Sequence, residues 1–492
     1  MSKKGGMRWQ KRWFVLAQAG GRAATLEYFR EPNDAAGARA TLELTSDTKV
    51  DLLPGKMYGL QVIMNGRALK VHCDSDEDRE KWMRALRKVI AEAIQQQVVH
   101  FAGTDWSINP KYKLQKKVGS GAYGFVCSAD DVSAKPPKAV AIKKVAKAFE
   151  DMVDAKRILR EIRLMRQFDH PNVVRLYDVE EPPYIEDFED LYIVSELMST
   201  DLQKILYSKT KLTGEQLQYL LYQLVCAVHY INSCNVLHRD LKPSNLLIDI
   251  QTCHLQVCDF GLARGVSNPD ELKDDAAGEA VSGEMTEYVV TRWYRAPEIM
   301  LGYHSYTMAI DMWSVGCIFG EMLLSQPVFP GNDYIHQLKL IVKMLGKAPD
   351  EDLWFVSNPN ALNFMKQLPK YEPQPLEEKF PGAPAAALDL LGRMLKINPS
   401  RRISLGDAMA HAYVEEFRED ALERPAGFGV EMADVEEVKL TKKNLQRMMY
   451  EEVRAFHRQQ AAAAAGPAGE DDSKMPDDEM PEARVLDRPT TL

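Results

Sequence analysis

The sequence lacks the features that would place this chain in a membrane or outside a cell. It has no run of about 18 apolar residues and no apolar core near its N-terminus, so we expect neither a transmembrane helix nor a secretory signal. Its seven cysteines are scattered, with no Cys-x-x-Cys pair and no Cys/His metal spacing. We therefore expect reduced thiols and a cytoplasmic protein, with nuclear entry and peripheral membrane recruitment as further options.

An excess of positive charge is also missing. The chain has 62 Lys and Arg against 71 Asp and Glu, a formal net charge of −9. Bulk electrostatics of that sign do not favour nucleic acid, so no nucleic-acid partner is expected and any anion site must be built locally. At 492 residues the chain is too long for one ordinary core. The last stretch, 459–492, is rich in Pro, Asp and Glu and is predicted to be disordered.

Short β-like runs separated by turn residues fill most of region 1–92 and are followed by a helical pattern. Trp82, Ala85, Leu86 and Val89 recur at the spacing of one helical face. This order predicts an α+β N-terminal domain, a small β-barrel closed by a helix. Region 93–111 is polar and contains Gly and Pro, which is typical of a linker.

A glycine-rich stretch, VGSGAYGFV, spans 118–126 between two strand-like segments. Its glycines match the pattern G-x-G-x-x-G-x-V, in which backbone amides approach phosphate oxygens closely. The candidate phosphate-covering residues are Val118, Gly119, Gly121, Gly124 and Val126. The same spacing also occurs in dinucleotide-binding folds and in plain hairpin turns, but a strand after the loop disfavours the dinucleotide alternative.

The strand VAIK (140–143) places Lys143 on the same face as Ala141, where it could reach phosphates. Lys144 is the alternative if the strand register differs by one residue. In the following helical segment, Leu159, Ile162 and Met165 form an apolar stripe and Glu161 lies beside it, either facing inward or solvated.

Two motifs further on supply the remaining groups that phosphoryl transfer needs. HRDLKPSN (238–245) and DFG (259–261) provide, in order, a carboxylate, a lysine, an amide and a second carboxylate. APE (296–298) and NPSRRIS supply Glu298 and Arg402, predicted to form a structural ion pair.

With these motifs in this order, the chain resembles eukaryotic protein kinases over residues 112–413, which implies a bilobal catalytic domain that uses ATP and Mg²⁺. The resemblance implies Asp240 as catalytic base and Lys242 as the group that stabilises the transferred phosphoryl. It implies Asn245 and Asp259 as Mg²⁺ ligands, and Lys143 paired with Glu161 on the α- and β-phosphates. The hinge residues it implies for the nucleoside are Glu196, Met198 and Asp201.

The segment GEMTEYVVTRWYRAPE (283–298) resembles the dual-phosphorylation loop of mitogen-activated protein kinases. The resemblance implies activation by an upstream dual-specificity kinase that phosphorylates Thr286 and Tyr288. Phosphate adds charge that arginine clusters can bind. The implied partners are Arg160, Arg239 and Arg264 for phosphorylated Thr286, and Arg292 and Arg295 for phosphorylated Tyr288.

The same family resemblance implies protein substrates with Ser or Thr followed by Pro, within an intracellular signalling cascade. The acidic segment 415–423 is similar to the site at which relatives hold basic docking peptides, and a plain solvated helix is the alternative. Region 414–458 resembles an extension that packs back on the kinase. The acidic stretch 265–283 before Thr286 either screens the arginines or is solvated slack. A catalytically silent pseudokinase scaffold is the alternative to an enzyme.

KKGGMRWQKRWFVL (3–16) and the helix bearing Trp82 resemble a pleckstrin-homology domain. Relatives of that fold bind phosphoinositide headgroups with basic residues around the first loop, which here implies Lys4, Lys11 and Arg12. Protein binding or regulatory docking on the kinase is the other option. The resemblance gives Trp82 a core role.

Overall fold

A computed structural model of the chain describes most of the residues between 2 and 465. The described ranges are 2–5, 8–11, 13–17, 24–29, 40–44, 48–53, 56–64, 67–93, 97–121, 124–181, 185, 188–209, 211–265, 292–302 and 307–465. The chain divides into two units: residues 1–147 with 180–193, and residues 148–179 with 194–492. The N-terminal strands and the glycine-rich segment therefore belong to the first unit.

The N-terminal part of the first unit contains eight strands and one helix. They are β1 (Ser2–Gly5), β2 (Arg8–Lys11), β3 (Trp13–Ala17), β4 (Ala24–Phe29), β5 (Ala40–Leu44), β6 (Lys49–Leu52), β7 (Gly59–Met64), β8 (Arg67–His72) and α1 (Asp76–Ala93). The strands form two sheets, ordered β2-β1-β8-β7-β6 and β3-β4-β5. β2 and β3 are separated by one residue. β2 belongs to the five-stranded sheet and β3 to the three-stranded sheet, so the chain passes almost directly from one sheet to the other. Within the described ranges the two sheets are not joined into a closed barrel.

The core of this part lies between the two sheets and α1. Its buried members include Phe14, Leu26, Val62 and Leu86, and the half-buried Trp82 packs against them. The ring centroids of Phe14 and Trp82 are 6.4 Å apart, which confirms the core role of Trp82. Ala85, which the helical spacing places on the same face, is exposed, whereas Met83 is buried.

Region 93–111 contains a hairpin where the sequence predicted a linker. Its strands β9 (Gln97–Phe101) and β10 (Thr104–Ile108) pair antiparallel. Trp106 and Ile108 are buried, and the indole nitrogen of Trp106 donates to the Phe101 carbonyl at 3.0 Å. Buried and more exposed residues alternate along β10, with Trp106 and Ile108 on the buried face. The polar composition of the region hid this alternation.

Three long strands complete the first unit: β11 (Tyr112–Gly121), β12 (Gly124–Asp131) and β13 (Lys138–Val145). They form an antiparallel meander in which Gly119 pairs with Val126 and Val126 with Lys143.

The second unit is mainly helical. Its strands are β14 (Leu176–Val179), β15 (Leu191–Glu196, whose first three residues lie in the first unit), β16 (Thr200–Asp201), β17 (Val236–Leu237), β18 (Leu246–Asp249), β19 (His254–Val257) and β20 (Arg264–Gly265). Its helices are α2 (Met152–Gln167), α3 (Leu202–Leu206), α4 (Gly214–Ser233), α5 (Pro297–Met300), α6 (Ala309–Leu324), α7 (Tyr334–Leu345), α8 (Pro359–Gln367), α9 (Leu376–Lys379), α10 (Ala385–Met394), α11 (Leu405–Met409), α12 (Asp420–Glu423), α13 (Ala433–Glu436) and α14 (Lys442–Ala465). None of the described helices is long and apolar enough to cross a bilayer.

The C-terminal helix α14 continues past the predicted boundary at residue 459. The helix ends at Ala465. Its extension beyond residue 459 is favoured by five consecutive alanines, since alanine is the best helix former. The tail predicted for 459–492 therefore begins inside a helix, and residues 466–492 lie outside the described ranges.

Candidate active site

The glycine-rich segment joins β11 and β12 in the first unit. Gly124 has φ +146°, and a Cβ atom there would lie 1.9 Å from the Lys144 carbonyl oxygen, so only glycine fits. At Gly119 a Cβ would meet nothing within 4 Å among the described atoms. In the pairing of β11 with β12, Gly121 lies opposite Gly124 and Gly119 lies opposite Val126. Val118 is the residue just before the second of these pairs.

The pleat of β13 decides between the two candidate lysines. Lys144 is 4 % exposed, and its ammonium binds Asp190 Oδ2 at 2.9 Å as well as the Asp105 carbonyl. Lys143 points to the opposite face, which it shares with its cross-strand partner Val126. Lys144 is thus held in the core of the first unit, whereas Lys143 pairs with Val126 on the other face of the strand.

Helix α2 of the second unit buries its predicted apolar stripe. Leu159, Ile162 and Met165 are all buried, which confirms the stripe. Glu161 is 6 % exposed, so the solvated alternative for this carboxylate is wrong. Lys143 lies in the first unit and Glu161 in the second.

The loop between β17 and β18 holds Asp240 in a defined position. Lys242 Nζ donates to Asp240 Oδ2 at 2.5 Å, and Asn245 Nδ2 donates to the same oxygen at 3.2 Å and to the Asp240 carbonyl at 2.9 Å. Among the described atoms, Oδ1 of Asp240 accepts no hydrogen bond.

A buried carboxylate that the sequence reasoning left without a role supports this loop. Asp311 of α6 is 0 % exposed and accepts the backbone N–H groups of His238 at 2.9 Å and Arg239 at 3.0 Å. Arg239 has φ +65°, a strained conformation for a side-chain-bearing residue. Asp311 offsets that strain. An aspartate inside the mostly apolar segment AIDMWSVGCIF was the sequence signal for this role.

Asn245 and Asp259 have the donor chemistry for a hard cation. The Asn245 amide nitrogen is engaged with Asp240, so its oxygen is the atom left to face a metal. Asp259 has φ +67°, and its Oδ1 accepts Gly261 N–H at 3.4 Å. No group of three His, Cys, Asp or Glu side chains suited to a metal occurs in the described ranges. This pair fits a metal that takes its other ligands from phosphate and water.

The predicted hinge residues begin at Glu196, the last residue of β15. Met198 is buried, and the Glu196 carboxylate accepts from Gln256 Nε2 at 2.8 Å. Asp201 caps α3, accepting the Lys204 N–H at 2.9 Å, and its other oxygen binds Lys204 Nζ at 2.8 Å. The Asp201 carboxylate therefore already stabilises the start of α3.

Two of the three arginines predicted for phosphorylated Thr286 meet at one glutamate of the C-terminal region. Arg160 Nε donates to Glu436 Oε1 at 2.8 Å, and Arg264 Nε lies 3.5 Å from Glu436 Oε2. The backbone of Arg239, the third arginine, is held by Asp311 as described above. Glu436 was not recognised from the sequence.

Arg292 and Arg295, the two arginines predicted for phosphorylated Tyr288, both lie beside the ring of Tyr334. Their guanidinium carbons lie 5.6 Å and 5.8 Å from the centre of the Tyr334 ring. Arg292 Nη1 donates to the Asn332 carbonyl at 2.9 Å, whereas its buried Nε has no hydrogen-bond partner among the described atoms. Thr286 and Tyr288 lie outside the described residues, as does most of the acidic stretch 265–283.

The remaining predicted sites are described in part. In the acidic segment 415–423, Glu415, Glu416 and Asp420 are exposed, whereas Glu423 is bound by Arg418 at 2.7 Å and 2.9 Å. Those hydrogen bonds lower the pKa of Glu423.

The basic residues predicted for lipid headgroups are described in part. Lys4 and Lys11 lie on β1 and β2, and Arg12 lies outside the described residues.

Glu298 and Arg402 confirm the predicted ion pair. Two hydrogen bonds of 2.6 Å join the guanidinium to the carboxylate, and both side chains are almost completely buried. This pair ties α5 to the segment before α11.

Known protein families match most of the chain. A model of the protein kinase domain matches residues 112–414, and a model of the PH domain matches residues 1–91. Mitogen-activated protein kinase 4a of Physcomitrium patens is 46 % identical over 352 residues, 71 % of this chain and 89 % of the relative. The chain belongs to the mitogen-activated protein kinase family.

Two further relatives agree in extent. Mitogen-activated protein kinase 6 of Oryza sativa subsp. japonica is 45 % identical over 72 % of this chain and 90 % of its own length. Mitogen-activated protein kinase 4 of Arabidopsis thaliana is 45 % identical over 70 % and 87 %. This mitogen-activated protein kinase is therefore a protein serine/threonine kinase with an N-terminal PH domain. Membership implies ATP, a divalent metal, upstream kinases and protein substrates.

Proposed function

We propose that this kinase transfers the γ-phosphoryl group of ATP to Ser/Thr-Pro sites when Thr286 and Tyr288 are phosphorylated. The observation that carries the catalytic part is the Asp240 carboxylate, in which two neighbours bind one oxygen and leave the other for a substrate hydroxyl. Such positioning and proton acceptance are the main contributions that a protein makes to phosphoryl transfer.

The roles of the other groups follow from their chemistry. The metal we propose is Mg²⁺, which neutralises charge on the β- and γ-phosphates when bound. Asn245 and Asp259 would hold it through oxygen. Lys242 would shift part of its contact from Asp240 to the transferred phosphoryl, and Lys143 would bind the α- and β-phosphates. The glycine-rich residues Val118 to Val126, with hinge residues 196–201, would hold the nucleotide.

The catalytic assignment is tested by Asp240→Asn in the phosphorylated full-length chain. We expect kcat to fall roughly 10²–10⁴-fold, while ATP binding stays near that of the wild type. Asp169→Asn, which alters an exposed aspartate outside the loop, is the control. An Asp240→Asn variant as active as this control, or no phosphotransfer by the wild type, would leave the pseudokinase scaffold as the better description.

The switch is supported by the charge around the predicted phosphate sites. Arg292 and Arg295 converge on Tyr334, and Arg292 Nε is a buried donor that phosphate on Tyr288 could engage. None of the 26 prolines follows a Ser or Thr, so a proline-directed kinase has no preferred site in its own chain. This supports activation in trans by an upstream dual-specificity kinase.

The switch is tested by treating Thr286→Ala, Tyr288→Phe and the loop control Ser282→Ala with an upstream dual-specificity kinase. We expect each of the first two to lose most of the activation, and Ser282→Ala to keep it. Full activation of either of the first two variants would contradict dual control. A library of Ser/Thr peptides with and without proline at the next position tests substrate preference.

We further propose that the PH domain recruits the kinase to membranes that contain phosphoinositides, through Lys4, Lys11 and Arg12, from a cytoplasmic and nuclear pool. The exposed acids of 415–423 would hold basic docking peptides. Co-sedimentation with phosphatidylcholine vesicles, with and without a phosphoinositide, tests the first point. Unchanged sedimentation of the Lys11→Ala/Arg12→Ala variant would instead favour a protein partner for the domain.

A further inference from the structure

The hairpin β9–β10 is fixed to two strands of the kinase domain, β13 and β15. The Ser107 N–H donates to the Tyr192 hydroxyl at 3.0 Å, and the ring centroids of Trp106 and Tyr192 are 5.9 Å apart. On β13, the Lys144 ammonium donates to the Asp105 carbonyl. All of these residues belong to the first unit. The hairpin is therefore part of the kinase surface and not a spacer between the domains.

Little chain remains between this hairpin and the PH domain. Helix α1 ends at Ala93 and β9 begins at Gln97. Their Cα atoms are joined by four Cα–Cα steps of about 3.8 Å, so the two residues can be at most about 15 Å apart. The PH domain is therefore confined close to the kinase strands.

One edge of the PH domain carries a cation that binds an acid of the kinase domain. Lys49 begins β6, and its Nζ lies 3.2 Å from Glu181 Oε2, with 45 % and 25 % of the side chains exposed. The residue before Glu181 is anchored twice: the Glu180 N–H donates to the Tyr192 carbonyl at 3.0 Å, and the Glu180 carboxylate accepts the Asn109 N–H at 3.3 Å. Glu181 is hence presented by a fixed segment of the first unit.

The strand order separates this contact from the basic residues proposed for lipid. In the sheet β2-β1-β8-β7-β6, β6 is one edge strand and β2 is the other. Lys49 lies on β6, whereas Lys11 lies on β2 and Lys4 on the neighbouring β1. Adjacent strands are about 4.8 Å apart, so β6 and β2 are separated by about 19 Å across the sheet. A contact at the β6 edge therefore does not use the strands that carry Lys4 and Lys11.

The contact combines a weak bond with a short connection. An exposed ion pair contributes little by itself and is screened by salt. The short connection between Ala93 and Gln97 makes the encounter intramolecular, which raises the effective concentration of each partner for the other. The bound state can then be populated at low ionic strength without a large apolar interface, and it stays reversible.

We propose that segment 180–181 is a docking site for the PH domain of the same chain, which binds there through Lys49 at the β6 edge. The docked domain keeps β1 and β2 on its far edge, so docking on the kinase and binding of a lipid headgroup use different sides of one domain. The docking inference does not depend on the proposed lipid binding.

The first test is cross-linking of the full-length, unphosphorylated chain with a carbodiimide, which joins a lysine ammonium directly to a carboxylate that it touches. We expect the Lys49–Glu181 link to be on the order of tenfold more abundant than links from Lys49 to other acids of the kinase domain. The link should become rarer in 0.5 M NaCl. Lys56, an exposed lysine of the same domain, is the control and should prefer no kinase acid. Links from Lys49 spread evenly over many acids would show a merely tethered domain and overturn the proposal.

An exchange of the two charges tests whether complementarity makes the contact. Lys49→Glu/Glu181→Lys should restore a cross-link between positions 49 and 181. The matched control Lys49→Glu/Glu189→Lys, which moves the lysine to an exposed position on the same connection, should give no link between 49 and 189. Equal yields of the two links would overturn segment 180–181 as the docking site.

The position of the far edge is tested on the cross-linked wild type. Lys4 and Lys11 should be acetylated by an N-hydroxysuccinimide ester as fast after cross-linking as before. Protection of both lysines in the cross-linked chain would show that docking covers them, and would overturn the assignment of the β6 edge.

Discussion

Two buried arginines of the second unit are each bound by a glutamate through two hydrogen bonds, yet the surroundings of the two pairs differ. In the helical region, Glu298 and Arg402 are 2 % and 1 % exposed, and Arg402 also donates to the Lys396 and Ala309 carbonyls at 2.9 and 2.7 Å. In the C-terminal region, Arg160 is equally buried but Glu436 is 24 % exposed. The first pair is closed to solvent on both sides, whereas solvent reaches the carboxylate of the second. Similar ion-pair geometry thus holds a fully desolvated carboxylate in one place and a partly solvated one in the other.

Removing the closed pair should have the largest effect. Glu298→Gln leaves the Arg402 charge buried without its carboxylate, and we expect a loss of about 3–5 kcal/mol in unfolding free energy. Chemical denaturation of the kinase followed by fluorescence measures it. The exposed Glu377→Gln is the control and should change stability by less than about 0.5 kcal/mol. A similar small effect for Glu298→Gln would remove the energetic distinction between a closed ion pair and a partly solvated one.

A further glutamate, which is fully buried, pairs with a tyrosine instead of an arginine. Glu321 of α6 is 0 % exposed, and its Oε2 accepts the Tyr294 hydroxyl at 2.6 Å. Burial raises the pKa of Glu321 from 4.5 to about 7, although the Tyr294 hydrogen bond opposes the rise. Folding therefore gains stability from the protonated acid. That gain is fully present below pH 4.5 and is lost as pH rises through about 7.

The pH dependence separates this carboxylate from the two that pair with arginine. Relative to Glu321→Gln, the wild type should lose on the order of 3 kcal/mol of unfolding free energy between pH 4 and pH 8. Thermal unfolding of both proteins across that range measures the difference. A constant difference at all pH values would show that Glu321 stays ionised in the fold.

The sequence predicts a side-chain contact well when both residues belong to recognisable motifs. It predicts a contact poorly when the partner lies far away in the chain and outside any motif. The catalytic loop follows from HRDLKPSN because Asp240, Lys242 and Asn245 bond each other within six residues. The Glu298–Arg402 pair was also predicted, since both residues belong to recognisable motifs. Lys144, by contrast, could be separated from Lys143 only when Asp190 and the Asp105 carbonyl were seen to hold it.

The features that the sequence did not predict depend on tertiary packing. Glu436 lies in ADVEEV, where Glu437 is an equally plausible acid, and only the direction of the short helix α13 turns the first of them toward Arg160. Ala85 matches the helical period but is exposed, because Met83 rather than Ala85 turns into the core. The hairpin in 97–108 was hidden by its polar strand faces. In each case the periodicity of the sequence limits which residues could face the core or a partner. A contact with a residue distant in sequence then determines which of them does.

A partly solvated ion-pair cluster also joins α14 to α2. Glu452 is 8 % exposed and binds Arg163 at 2.6 Å and Arg166 at 3.0 Å, but those arginines keep 13 % and 20 % exposure. Because water can partly solvate them, Glu452→Gln should cost less than Glu298→Gln, about 1–3 kcal/mol. The loss should appear as faster hydrogen exchange in 442–463. Glu451→Gln, exposed on the adjacent position, is the control, and equal exchange in the two variants would show that α14 is held by apolar contacts alone.

The smallest effect is expected in the first unit, where an ion pair links the N-terminal domain to the chain beyond β14. Lys49 Nζ lies 3.2 Å from Glu181 Oε2, with 45 % and 25 % of the side chains exposed. Such a pair contributes roughly 0–1 kcal/mol and is screened by salt within about 10 Å at 0.1 M. Lys49→Ala should therefore lower the unfolding midpoint slightly at low ionic strength and leave it unchanged in 0.5 M NaCl. A loss that persists in high salt would place Lys49 among the closed contacts, because only a desolvated charge escapes screening.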